Sequence, residues 1–156
     1  MSAAGEWTMR AIGTVTSSRA EAIDDDWGEV TSTITLLAPL DERSVAGLAE
    51  FSHVEVVFLF DRVDPDRVCV HARHPRGNPD WPEVGILAQR AKDRPNRIGL
   101  CTCALVAVAG ASILVRGLDA IDGTPVLDVK PYLEEFAPRG ELRQPAWSHE
   151  LMRDYW

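Results

Sequence analysis

A chain of 156 residues is expected to form one domain over 1–156, long enough to bury a core without disulfide or metal staples. With 46% hydrophobic and 26% charged residues it has an ordinary globular composition, and no apolar run nears the roughly 20 residues a membrane helix requires. The net charge of −8 disfavours polyanionic partners at long range, so nucleic acid is disfavoured unless a local basic groove overrides the field.

The opening MSAAGEWTMRAIG has no basic flank followed by an apolar stretch, so no secretory signal is read and a cytoplasmic, non-membrane protein is expected. Met9 to Val15 reads as a first strand. Val30 to Leu37 alternates, with Val30, Ile34 and Leu36 on one face and Thr31, Thr33 and Thr35 on the other. After Pro39 the spacing of Val45, Leu48 and Phe51 predicts a helix capped by Asp41 or Ser44. Val54 to Phe60 is a continuous apolar run, the pattern of a strand buried on both sides. Arg67–Arg73, Val84–Ala88, Ile98–Ala109 and Ser112–Val115 complete a strand-rich middle. The tail 147–156, WSHELMRDYW, predicts a short helix with Ser148 as cap. There Trp147, Leu151 and Tyr155 recur every four residues, a docking face for the barrel or for a second subunit. Many short strands without alternating helices point to a mainly β fold: a small antiparallel β-barrel with one or two short helices.

Chemistry concentrates in three polar loops: His71 to Gly85, Ala88 to Leu100 and Arg116 to Tyr132. In the second, Arg94-Pro95-Asn96 forms a turn that offers a guanidinium and an amide, a pair suited to a ligand carboxylate. In the third, Asp119, Asp122 and Asp128 stand among Leu118, Ile121, Val126, Leu127 and Val129, with Lys130 and Tyr132 just beyond. Charge placed among core-type residues is costly unless paired. Lys130 or Arg116 would make the feature structural, and a ligand would make it functional. Arg73, Arg76, Arg90, Arg94 and Arg97 form a basic cluster. Cys101 and Cys103 share one face of a strand and read as small core residues, and with Cys69 they form no disulfide framework. No metal site is expected, since nothing in the spacing demands a third and fourth ligand. The glycine-rich fingerprint of Rossmann nucleotide sites is missing.

Three runs carry a family resemblance: Leu48-Ala49-Glu50-Phe51-Ser52-His53, Gln89-Arg90 through Leu100, and Asp122 through Tyr132. With Ile12-Gly13-Thr14-Val15 they are similar, in order, to the GLEGFSHL, ATRSxxRPNPIGL and DGTPVLDIKPY signatures of the TrmO/TsaA-like methyltransferases. The resemblance implies an antiparallel barrel, a homodimer, and S-adenosylmethionine (SAM) bound in loops near the dimer interface. The family's founding activity is N-methylation of threonylcarbamoyl-adenosine in tRNA. By position, SAM contacts would fall on Asp61, Arg62, Arg90, Leu100, Leu118, Asp119, Ala120 and Ile121. Arg94 and Asn96 join them as the carboxylate-binding turn. The family's early SAM loop, often ending in a PRQ-type triplet, is here Asp24-Asp25-Asp26-Trp27-Gly28, which puts Asp26 and Trp27 at the cofactor. Three departures stand out: Arg97 replaces a proline, Asp61 stands where histidine is common, and WSHELMRDYW takes the place of a longer C-terminal extension.

A SAM-dependent methyltransferase must align the nucleophile, dry the site and take up a proton. Asp119, Asp122, Asp128 and Tyr132 are the candidate acceptors, and a lone His53 entering an apolar strand reads as structural. The net charge and the shortened tail turn the expected acceptor towards a small molecule, with tRNA threonylcarbamoyl-adenosine N6-methylation as the alternative. A non-catalytic SAM sensor or a protein-interaction module would show no turnover of SAM to S-adenosylhomocysteine.

Overall fold

The computed structural model describes residues 5–156, so the first four residues of the opening segment lie outside the described residues. Eight strands form: β1 Gly13–Ser17, β2 Thr31–Leu36, β3 His53–Leu59, β4 Ala72–Arg73, β5 Val84–Gly85, β6 Ile98–Ala109, β7 Ser112–Arg116 and β8 Pro125–Pro131. Six of them close a barrel in the order β1-β2-β7-β6-β3-β8, every neighbour antiparallel. β4 and β5 form a separate two-stranded hairpin. Alternation sends Val15, Ile34, Val54, Val56, Phe58, Cys101, Cys103, Ile113, Val115 and Val126 into one core, which Leu118 caps. Gly99 is where β6 crosses the Phe58 ring, and a Cβ there would lie 2.4 Å from it. No helix among the described residues is long and apolar enough to cross a membrane.

Several sequence expectations change. The first strand runs Gly13–Ser17 rather than Met9–Val15. β3 is not buried on both sides: Val54, Val56 and Phe58 face the core, while Glu55, Val57 and Leu59 are half-buried outside. The helix after Pro39 is two 3-10 turns, Glu42–Val45 and Leu48–Glu50. Asp41 caps the first through Arg43 N at 3.0 Å, and Gly47, at φ 84°, breaks the run before an α-helix can propagate. The strand expected over Arg67–Arg73 shrinks to β4 after a 3-10 turn at Pro65–Arg67. That over Val84–Ala88 becomes β5 followed by a 3-10 turn at Ile86–Ala88. Finally, β8 closes the barrel where the sequence reading saw a loop. A register shift between Val57 and Phe58 places Val126 opposite Phe58 but Asp128 opposite Val57, so the period of two is broken within the strand.

The tail helix α1 spans Ala146–Leu151, starting one residue before the expected segment. Pro145 is its N-cap residue, and Ser148 lies inside the first turn, its hydroxyl donating to Pro145 O at 2.6 Å. The apolar stripe docks on its own chain. Trp147 packs on Trp81, and Trp81 Nε1 donates to a Glu150 carboxylate oxygen at 2.8 Å. Beyond the helix, Asp26 N and Trp27 N donate to Asp154 O and Tyr155 O at 2.9 and 2.8 Å.

Candidate active site

Antiparallel order brings the C-terminal ends of β1, β3 and β7 and the N-terminal ends of β2, β6 and β8 to one mouth of the barrel. The loops 18–30, 60–97 and 117–124 therefore meet there. They carry Asp26, Trp27, Asp61, Arg62, Arg90, Arg94, Asn96, Leu118, Asp119, Ala120, Ile121 and Asp122, and Leu100 stands near the start of β6.

Within this set the side chains differ in freedom. Trp27 is buried, its indole N–H donating to Ile23 O at 3.1 Å and its ring lying 4.1 Å beneath the Arg19 guanidinium, so it anchors the acidic loop. Asp26 is exposed at φ 62°, and its carbonyl accepts from Arg19 at 2.9 Å. Leu118 and Ala120 are buried, leaving only their backbone to meet a ligand, whereas Ile121 is half-buried and Asp61 exposed. Arg94 donates to Gln89 O at 2.6 Å and so holds the loop that carries it, while Asn96 is exposed at φ 61°. Arg90 donates to Leu100 O at 2.7 Å, and the Leu100 side chain stays 45% exposed. Arg62 donates to Asp122 O at 3.1 Å. Asp122 is a turn anchor, one carboxylate oxygen accepting from Ser17 N at 2.9 Å.

Asp119 is different. One carboxylate oxygen accepts from the Tyr155 hydroxyl, and the other, Oδ1, is buried with no hydrogen-bond partner among the described residues. A buried carboxylate oxygen without a donor is costly, and a ligand that donates to it would offset that cost. Burial and then the Asp119 charge push the Tyr155 phenol well above its ordinary range, so it stays a donor. The Cys103 thiol, burial and Asp119 push the Cys101 thiol up as well, and its Sγ donates to Gly117 O at 3.2 Å. A thiol held neutral is no nucleophile.

Two candidate acceptors lie elsewhere. Asp128 is on the outer side of β8, paired with Lys130 at 2.8 Å and 43% exposed. Tyr132 follows β8 at the opposite mouth, its N–H donating to His53 O at 3.0 Å. The bulge is the reason: one extra residue turns Asp128 and Lys130 outward beside Val57 and Glu55. Exchanging Asp128 for asparagine should therefore change stability by less than about 1 kcal/mol. Melting the variant beside the wild type checks this, and a drop of several degrees would contradict it.

The arginine cluster divides. Arg73 is paired with Asp93 in a two-bond fork at 2.5 Å, and Arg76 with Asp25 at 2.8 Å. Arg90, Arg94 and Arg97 bond only carbonyl oxygens, as does Arg62, so their charge is not cancelled by an ion pair among the described residues. The Arg73 guanidinium holds the Asp93 carboxyl below the usual aspartate range. The stability this pair contributes is therefore present above the unfolded aspartate value of about 3.9 and is lost as pH falls through the lowered value. Asp93→Asn should cost about 1–3 kcal/mol at neutral pH. The gap to wild type should shrink on acidification, and thermal melts at both pH values read it out directly.

Tyr155 entered the sequence reading as part of a docking stripe and was missed as a neighbour of the site. Its four-residue spacing reports packing, and only the fold shows which loop the tail meets.

Residues 24–137 match the family model for the tRNA-methyltransferase O N-terminal domain. A human protein named tRNA (adenine(37)-N6)-methyltransferase is 38% identical over 113 residues, covering 72% of this chain and 25% of that protein. A Pseudomonas aeruginosa protein named putative S-adenosylmethionine-dependent methyltransferase RcsF is 39% identical over 104 residues, covering 65% and 44%. The crystal structure of TrmO from P. aeruginosa superposes with a TM-score of 0.75 at 27% identity, over 94% of this chain and 64% of that one. The chain thus spans a quarter to a half of the length of these two named relatives. From the family model over residues 24–137 and the matching barrel, the chain belongs to the tRNA-methyltransferase O N-terminal domain family.

Proposed function

We propose that this chain is a SAM-dependent methyltransferase domain whose acceptor is an adenosine nitrogen in tRNA. The observation that carries the reading is the Asp119 carboxylate at the loop-bearing mouth, with a buried oxygen that lacks a donor. SAM fits this group, because its ammonium, ribose hydroxyls and adenine amine are all donors. Arg90 and Arg62 flank the loops and are suited to a carboxylate. When bound, SAM supplies an electrophilic methyl on a cationic sulfur. The chain's own part is alignment and exclusion of water, to which the buried Leu118 and Ala120 and the docked tail contribute. Asp119 is the carboxylate in position to accept a hydrogen bond from SAM there, while Tyr155 remains a donor.

The small-molecule acceptor expected from the net charge gives way to tRNA. The human relative is named for tRNA adenine methylation, and Arg62, Arg90, Arg94 and Arg97, which bond only carbonyl oxygens, keep positive charge available to phosphates. A homodimer in the cytoplasm completes the reading, supported by Leu100 and Val106, which are 45% and 52% exposed on the outside of β6. Labelled SAM incubated with total tRNA is the test. Transfer to tRNA that weakens steeply with salt is expected, with a log–log slope near −0.7 per single-strand phosphate contact. Label moving only to a metabolite extract would overturn the acceptor, and SAM bound without turnover would favour a sensor. Light scattering giving a 17.2 kDa particle would remove the dimer.

A further inference from the structure

The C-terminal tail is held against the loop-bearing mouth from three sides. Trp81 grips α1 through Trp147 and Glu150. The acidic loop bonds the backbone of Asp154 and Tyr155. Gly28 lies so close to the last residue that a Cβ there would sit 2.6 Å from the Trp156 carbonyl carbon, so the chain passes only because that position has no side chain. Between these anchors the Tyr155 ring is half-buried, packed edge-on against Trp156 at 4.8 Å, and its hydroxyl reaches Asp119. A carboxylate bonded through one oxygen has its rotamer and its second oxygen fixed.

We propose that Tyr155 is a positioning residue: its hydroxyl locks Asp119 so that Oδ1 is presented to an N–H or O–H donor of bound SAM. This rests on the SAM reading above. The tail is then a wall of the donor site supplied by the barrel domain itself. Tyr155 does no chemistry of its own. It removes the rotamer freedom that Asp119 would otherwise lose on binding. A phenol suits the task because it keeps its proton and presents it in one direction from a rigid ring.

A double-mutant cycle on the full chain tests this, with SAM affinity measured by calorimetry and each unliganded variant melted in parallel. Tyr155→Phe deletes only the hydroxyl and leaves the backbone anchors and the ring. It should weaken SAM by about 10-fold, the scale of a hydrogen bond to a charged group, and lower the melting temperature of the unliganded protein by a few degrees, since a second Asp119 oxygen loses its donor. In an Asp119→Asn background, where no carboxylate oxygen is left to present to SAM, the same change should cost less than about 2-fold, the mark of two residues acting through one contact. Three results would overturn the proposal: Tyr155→Phe binding SAM as wild type does, binding it more tightly, as a plug would, or losing affinity equally in both backgrounds. A wild-type protein that binds no SAM would instead remove the cofactor reading, so the two failures are told apart by the control.

Discussion

Replacing Asp119 by asparagine should weaken SAM, and with it methyl transfer at limiting SAM, by about 10- to 100-fold, the scale of a hydrogen bond to a buried charged group, while the protein melts at the same or a slightly higher temperature. The reasoning runs from burial. Asp119 Oδ1 is out of water and has no partner among the described residues, so the folded protein bears its desolvation without return until a ligand donates. An amide of the same shape removes the charge. Its oxygen can still accept from Tyr155, which puts an N–H₂ where an acceptor is needed. Function and stability should therefore move in opposite directions, as they do where a site is kept at the expense of the fold. Single-turnover transfer from labelled SAM, with a melt of the same sample, decides it. Turnover that survives while the melting point falls would make Asp119 a structural carboxylate.

The largest effect on stability is expected at the crossing of β3 and β6. Phe58 is 1% exposed, packs edge-on against Phe60 at 5.2 Å, and lies across Gly99. Phe58→Ala should cost about 3–5 kcal/mol, the range for removing a buried aromatic ring. Gly99→Ala should cost about 1–3 kcal/mol by overpacking, because its methyl would overlap the ring at 2.4 Å and neither strand can retreat from a closed barrel. The two losses should not add. With the ring gone the methyl has room, so the double variant should be more stable than the sum of the singles predicts. Denaturant titrations of the four proteins test the coupling, and strict additivity would show that Gly99 is needed for its backbone alone.

Much of the fold was legible along the chain because barrel strands announce themselves locally. Alternation marked β2, the apolar run marked β3, and the long stretch Ile98–Ala109 coincides with β6. The motif run around Asp122 was legible as a family signature for a similar reason, since a turn and the strand after it are contiguous in sequence. Two features were not legible, and the cause is the same. β8 looked like a loop because the bulge at Val57/Phe58 shifts its inward residues out of step, a register property that exists only between strands. The same shift turned Asp128 from a candidate acceptor into an exposed partner of Lys130. Tyr155 could not be placed from its stripe, because periodicity tells which face of a segment is apolar and says nothing about what that face meets. Residue chemistry and spacing thus determined the barrel class and the polar loops that carry the candidate site, and the motif resemblance pointed to the family. Only tertiary structure decided which aspartate keeps a buried free oxygen and which tyrosine holds it, because both depend on contacts between segments 36 residues apart.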